Sequence, residues 1–220
     1  MKNFLLVANW KANLTVDQAG DWISGLTSSS AEIIVCPSFP VLGAVANITL
    51  PTNVSFGAQD VSIKNIGAFT GQVPAELLQG MAKYCLVGHS ETRRLFGVTN
   101  EDVLTKIENL ISQNIRPIVC GNFLELTSGN LGDCSGVILA FEPEGSISTN
   151  PNSAPLTAED ANEKIKQIKN ITNCSTVLYG GSVTESNISD FCSSPDIDGA
   201  LVGKASTDIA AFNQIINLCQ

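Results

Sequence analysis

"YCLVGHSETRRLFG", residues 84–97, joins an apolar run to a charged segment that can start a short helix, and the junction carries His89, the only histidine in 220 residues. An apolar run with no polar alternation reads as a strand covered on both faces, as in a parallel sheet flanked by helices. Runs of the same kind recur along the chain: "FLLVAN" from Phe4, "EIIVCP" from Glu32, "VSFGAQ" from Val54, "RPIVCG" from Arg116, "GVILAFEP" from Gly136, "STVLYGG" from Ser175 and "GALVGK" from Gly199. With the opening stretch they make eight. Helical spacing predicts helices over 16–27, 74–81, 101–114, 158–171 and 206–218, with Thr157 ahead of "AEDANEKIKQIK" and Asn100 ahead of "EDVLTKIENLI" as capping residues. Eight strand–helix units without a long linker favour a closed eight-stranded parallel β/α barrel over a doubly wound open sheet. Nothing divides the chain, so residues 1–220 read as a single domain. Between Gly121 and Gly136, "GNFLELTSGNLGDCSG" leaves room for a turn or so of helix, so the fifth helical segment is expected to be short.

Composition narrows the partners. A hydrophobic fraction of 44% supports a sizeable core, and a net charge of -9 offers no broad basic face to nucleic acid or an anionic membrane. No segment approaches the roughly 20 apolar residues of a membrane span. The apolar start "FLLVA" is shorter than a signal-peptide core, and the chain reads as soluble and cytoplasmic. Seven cysteines without paired Cys-X-X-Cys spacing read as scattered reduced core residues, not as a disulfide framework or a zinc site. Without an export signal, the Asn-X-Ser/Thr triplets at Asn13 and Asn170 read as accidents of composition.

In a barrel of this kind, function gathers where the strands end at their carboxyl side. That rule selects Asn9 and Lys11, His89 and Glu91, Glu142, Gly180, Gly181 and Ser182, and Gly203. Each has an ordinary alternative: Lys11 as a solvated loop lysine, His89 as a structural residue, the Gly-Gly pair as turn chemistry, the "GKAS" turn as one helix start among many. Glu142 is the most informative, because Pro143 follows it and fixes a carboxylate at a strand terminus.

Taken in order, "NWKAN" at 9–13, "GAFTGQVPAELL" at 67–78, "GHSETRRLFG" at 88–97, "PIVCG" at 117–121, "EP" at 142–143, "YGGSV" at 179–183 and "LVGKAS" at 201–206 resemble the triosephosphate isomerase family across nearly the whole chain. The resemblance implies a TIM barrel that interconverts dihydroxyacetone phosphate and glyceraldehyde 3-phosphate by proton abstraction beside a carbonyl, with no cofactor and no metal. It implies Glu142 as the base, His89 as a neutral donor to the substrate carbonyl, Lys11 as a fixed positive charge, Asn9 as its hydrogen-bonding neighbour and Glu91 as the carboxylate that holds the lysine. A helix starting after His89 would disfavour the imidazolium. Ser148, Gly180, Gly181, Ser182, Gly203 and Lys204 would receive the phosphate. Thr70 in "GAFTG" would brace the lysine site of a neighbouring subunit in a homo-oligomer, a dimer being favoured and a tetramer left open.

Three departures accompany the resemblance. The lid reads "EPEGSISTN", with Pro143, Glu144, Gly145, Ser146, Ile147, Ser148, Thr149 and Asn150 where "EPVWAIGTG" is usual, so Gly145 stands in the place of a tryptophan and Ser148 in that of a glycine. Lys204 stands where a second glycine is usual. The short fifth segment gives a compact chain. The altered lid and Lys204 motivate the alternative of a catalytically weak phosphate-binding or partner-binding relative, which would have no need of Lys11, His89 and Glu142 together. A lysine-dependent aldolase would want its lysine inside a strand, and Lys11 lies beyond one.

Overall fold

The computed structural model describes residues 4–128, 131, 134, 136–144 and 156–219. Strands β1 (Leu5–Asn9), β2 (Glu32–Cys36), β3 (Val54–Ala58), β4 (Tyr84–Val87), β5 (Arg116–Gly121), β6 (Ile138–Phe141), β7 (Val177–Tyr179) and β8 (Gly199–Val202) pair in chain order into a closed barrel. Every pairing is parallel, and β8 returns to β1 with Gly199 opposite Leu5 and Val202 opposite Ala8. The connections carry helices α1 (Val16–Ser24), α2 (Phe39–Val45), α3 (Ser90–Phe96), α4 (Asn100–Ser112), α5 (Phe123–Thr127), α6 (Ala158–Thr172), α7 (Ile188–Cys192) and α8 (Ile209–Leu218), with 3-10 turns at Ala75–Leu78 and Lys204–Thr207. This is the closed parallel TIM barrel that the eight apolar runs predict.

The lack of polar alternation in the strands now has its cause. Leu5, Val7, Ile34, Cys36, Leu86, Ile118, Cys120, Ile138, Ala140, Leu178 and Leu201 fill the barrel interior. Their alternating neighbours, such as Leu6, Ala8, Ile33, Val35, Val119 and Leu139, pack outward beneath the helices. Both faces of each strand are therefore dry, and both must be apolar. The same two-residue period carries β6 from Ile138 through Ala140 to Glu142, so the carboxylate inherits the inward direction at the barrel mouth.

Local chemistry sets most helix ends. Thr157 caps α6 by accepting from the Asp160 amide, as the sequence predicts. The cap of α4 is Thr99, not Asn100: Thr99 accepts from the Asp102 amide while the Asp102 carboxylate accepts from the Thr99 amide, a reciprocal pair that satisfies two free donors. The helix expected over 74–81 is only a 3-10 turn, because Pro74 precedes it and Gly80, at φ 75°, ends it before an α-helix can propagate. The helix expected over 206–218 begins at Ile209, since Asp208 caps it by accepting from the Ala210 and Ala211 amides. Helix α5 has five residues, which agrees with the short fifth segment. Helices α2 and α7 are not among the ranges that helical spacing predicts, although Pro40 in the first turn of α2 is a usable signal.

The cysteines require a correction. Cys192 and Cys219 form a disulfide that joins the end of α7 to the residue after α8, with Cα atoms 5.7 Å apart. The two are 27 residues apart in a sequence with no motif around them, and only the packing of neighbouring helices brings them together. Cys36, Cys85, Cys120 and Cys174 are free and buried, and Cys134 is buried as well. Burial pushes the thiols of Cys36, Cys85 and Cys120 up, and that of Cys174 to about 11, which makes these four poor nucleophiles.

Candidate active site

Beyond β1 the chain turns sharply at Lys11, whose φ of 52° is left-handed and unusual for a residue with a side chain. Such a conformation costs on the order of 1–3 kcal/mol and persists only where neighbours hold it. Here the Asn9 Oδ1 accepts from the Lys11 amide at 3.0 Å, and the Gln59 Nε2 donates to the carbonyl oxygens of Lys11 and Cys36, each at 2.8 Å. Gln59, from the "GAQD" segment, is thus a positioning residue that the sequence reading passed over. The Lys11 ammonium meets the Glu91 Oε1 at 2.7 Å, across 80 residues of sequence.

His89 is brought to the mouth by Gly88. Its φ of 70° breaks the strand alternation, and a Cβ there would lie 2.8 Å from Val103 and 3.1 Å from the Cys120 carbonyl oxygen, so only glycine is accommodated. His89 caps α3: its Nδ1 accepts from the Glu91 amide at 3.2 Å. With Nδ1 occupied as an acceptor, Nε2 is the ring nitrogen left to donate, and it lies 3.0 Å from the Glu142 Oε1. Glu91 places its Oε2 3.8 Å from Nδ1, but the same carboxylate is neutralised by Lys11.

Glu142 is 3% exposed. Its Oε2 accepts from the Ser90 amide at 2.8 Å, a partner missed at the level of sequence, and its own amide donates to the Gly121 carbonyl. Burial pushes the carboxyl above its ordinary value of 4.5, against the lowering effects of neighbouring His89, of hydrogen bonds from Ser90 and of Lys11.

The remaining wall comes from β7 and β8. A Cβ on Gly181 would collide with the Tyr179 hydroxyl, while Asn187 donates to the Ser182 carbonyl at 2.9 Å and accepts from the Thr184 amide at 2.9 Å. Opposite, the Ser206 hydroxyl and amide both donate to the Gly203 carbonyl, and the Trp22 Nε1 donates to the Ser206 carbonyl at 3.0 Å. Trp22 is itself held between Trp10 and Phe212, at 4.9 and 5.4 Å between ring centres. The turn that begins at Lys204 is thereby anchored on the aromatic core.

Asn9, Lys11, His89, Glu142, Gly180, Gly181, Ser182, Gly203 and Lys204 all line one cavity of about 410 Å³. Glu91 stands behind Lys11. The structure also places Thr184, Glu185, Leu201, Thr207 and Asp208 on this wall, none of which the sequence reading singled out. Thr70 is exposed on the loop between β3 and the first 3-10 turn and is not part of this cavity. Of the lid, Pro143 and Glu144 follow Glu142 directly, whereas Gly145, Ser146, Ile147, Ser148, Thr149 and Asn150 lie outside the described residues. A larger hollow of about 700 Å³ lies at the opposite, amino-terminal ends of β3 and β4, away from these groups. Among the described residues, no group of three or more His, Cys, Asp or Glu is arranged to hold a metal ion, and no helix is long and apolar enough to cross a membrane.

The sequence profile described as triosephosphate isomerase matches residues 4–219. The triosephosphate isomerase of Thermus thermophilus is 33% identical over 248 aligned positions, covering 99% of this chain and 99% of that protein. That of Moorella thermoacetica is 32% identical over 252 positions, covering 100% of both chains. That of Clostridium botulinum is 33% identical over 250 positions, covering 99% of this chain and 100% of the relative.

Proposed function

The chain belongs to the triosephosphate isomerase family and is an isomerase of that kind; on that premise we propose that Glu142, His89 and Lys11 interconvert dihydroxyacetone phosphate and D-glyceraldehyde 3-phosphate through an enediolate. The reaction gives the enzyme its place in glycolysis and gluconeogenesis. The observation that carries the assignment of roles is the orientation of His89: its Nδ1 accepts from the Glu91 amide, which leaves Nε2 facing a buried carboxylate 3.0 Å away.

The Glu142 carboxylate takes a proton from the carbon beside the substrate carbonyl, and the electron pair of the broken C–H bond moves onto the carbonyl oxygen. The Nε2 proton of His89 and the charge of Lys11 stabilise that oxygen as it becomes negative. A proton then passes from the hydroxyl on the first carbon to this oxygen, the electron pair it leaves behind forms the new carbonyl, and return of the abstracted proton from Glu142 to the former carbonyl carbon completes the isomerisation. The Glu142 Oε1 and the His89 Nε2 lie 3.0 Å apart, and substrate that enters between them replaces that contact with two of its own. The hydrogen bond from Nε2 strengthens as charge appears on the oxygen, which favours the transition state over the bound substrate.

The phosphate is received by the Ser182 and Gly203 turns, with Gly180 and Gly181 on the same wall, and Ser148, outside the described residues, is assigned to the same subsite. Lys204 opens the second 3-10 turn on the wall of the same cavity and adds a second cation to that of Lys11. Lys204→Gly should raise KM about two- to fivefold, the scale of an exposed charge contact, with a smaller effect on kcat and a difference that shrinks as salt rises. A KM and salt dependence equal to those of the parent enzyme would remove Lys204 from the phosphate subsite.

Assembly is proposed as a homo-oligomer, with the dimer favoured. Ile66 and Phe69 on the Thr70 loop, and Leu95 and Phe96 at the end of α3, are exposed apolar residues, and the loop and Phe96 border a common hollow. In that assembly Thr70 reaches the lysine site of a second copy.

Isomerisation run in heavy water tests the proton abstraction directly. Deuterium should appear on the carbon that gains a hydrogen in the product, as read by NMR. Product formed at full rate with no deuterium from solvent, its new C–H hydrogen being the one lost by the neighbouring carbon, would point to direct hydride transfer and overturn the role given to Glu142.

A further inference from the structure

We propose that Asn122 and Glu144 form a tie that positions the base, the Asn122 Nδ2 donating to the Glu144 Oε1 at 2.8 Å and so fixing the exit of β6 relative to β5. The inference rests on the reading of Glu142 as the base. Glu144 lies two residues beyond it, with Pro143 between, and a proline of restricted φ passes a displacement at Glu144 back to Glu142 instead of absorbing it.

The Asn122 side chain is held for this purpose at its other end. Its Oδ1 accepts from the Glu125 amide at 2.9 Å and the Glu125 Oε2 accepts from the Asn122 amide at 2.7 Å, a reciprocal cap that starts α5. The cap uses the oxygen and leaves the amide nitrogen to donate outward. Glu125 also places its Oε1 3.7 Å from the Arg93 Nε, and that nitrogen donates at 2.7 Å to the carbonyl of Gly88, the residue before His89. A chain of polar contacts therefore runs from the residue preceding the donor His89 to the residue two beyond the base, across three successive strand ends.

What lies beside this chain is space. Arg93, Asn122, Glu125, Glu142 and Glu144 border a hollow of about 410 Å³ on the far side of Glu142 from the substrate cavity. Among the described residues Pro143 is the one apolar side chain that borders the hollow, and the polar tie adds a side-chain restraint on that flank. A base that must meet a carbon-bound proton is sensitive to such restraint, because misplacement by about 1 Å can cost as much as 10²-fold in rate.

The test exploits the two ends of the Asn122 side chain. Asn122→Asp keeps an oxygen that caps α5, since Asp and Asn cap equally well, but it exchanges the donor for a like charge facing Glu144. In that background Glu144→Gln restores one hydrogen bond with donor and acceptor reversed. Asn122→Asp should lower kcat roughly tenfold with KM changed less than about threefold, and the double variant should recover most of the loss. Glu144→Gln alone completes the cycle, and thermal unfolding of all variants reports whether α5 stays capped. An unchanged kcat in Asn122→Asp, or a loss that Glu144→Gln does not restore, overturns the tie. Glu142→Gln measured alongside separates the two ideas: if it is inactive while Asn122→Asp is normal, the tie alone fails, and if it is fully active, the base assignment fails and takes the tie with it.

Discussion

Replacing Glu142 by glutamine lowers kcat by at least about 10²-fold, the scale on which a positioned general base contributes. The substitution is close to isosteric in a site that is 3% exposed, and the amide oxygen can still accept from the Ser90 amide at the position that Oε2 now occupies. Loss of activity therefore reports loss of basicity, not collapse of the strand end. The pH dependence supplies a second reading of the same residue. Burial raises the Glu142 carboxyl above 4.5, so the folded enzyme still holds the proton at pH values where the unfolded chain has released it. The acid limb of kcat/KM should lie above 4.5, because activity requires the carboxylate. The sign for stability is opposite to that of an ordinary salt-bridged acid: stability contributed by the protonated form is lost as pH rises from the unfolded value through the raised folded value. Glu142→Gln removes that loss. Its melting temperature relative to the parent should rise across this window and stay higher above it, and a parent-like dependence of Tm on pH in the variant would show that Glu142 does not titrate there.

Replacing His89 by asparagine lowers kcat by about 10²- to 10³-fold, as expected when a donor to a developing oxyanion is removed. Asparagine is chosen because His89 has two tasks at two ring atoms. Nδ1 caps α3 through the Glu91 amide, and asparagine is among the best capping residues, so that task survives. Nε2 reaches the substrate side of Glu142, and the shorter asparagine side chain does not. A steady-state assay and thermal unfolding on the same preparation distinguish the tasks. A large fall in kcat with Tm held within a few degrees supports the donor role, whereas a fall in Tm with near-normal kcat would make His89 a helix cap and nothing more.

Much of the barrel was legible before any coordinate. A buried parallel strand leaves an unmistakable apolar run, and the strand end is a local property that places Asn9, Lys11, Glu142, Ser182 and Gly203 at one mouth. Short helices were harder to read. Pro74 and Gly80 leave four residues for a 3-10 turn where periodicity suggests a longer helix, and the exposed side of α2 carries Pro40, Gly43 and Ala44, so no polar face marks its period. Gln59 and Ser90 escaped notice because their roles are exercised through hydrogen bonds to residues far away in sequence, and neither residue type is unusual for a loop or a helix start. The Cys192–Cys219 pair escaped for the same reason.

By itself the sequence determined which residues stand at the strand ends, since hydrophobic period and strand termination depend on neighbours within a few positions. Tertiary structure alone decided which of them touch. Lys11 meets Glu91 across 80 residues and Glu142 meets the Ser90 amide across 52, distances that exist only once eight strands have closed into a ring. The setting of His89 belongs to the same category: α3 points the Glu91 amide at Nδ1, and β6 brings a carboxylate to Nε2 on the other side of the ring.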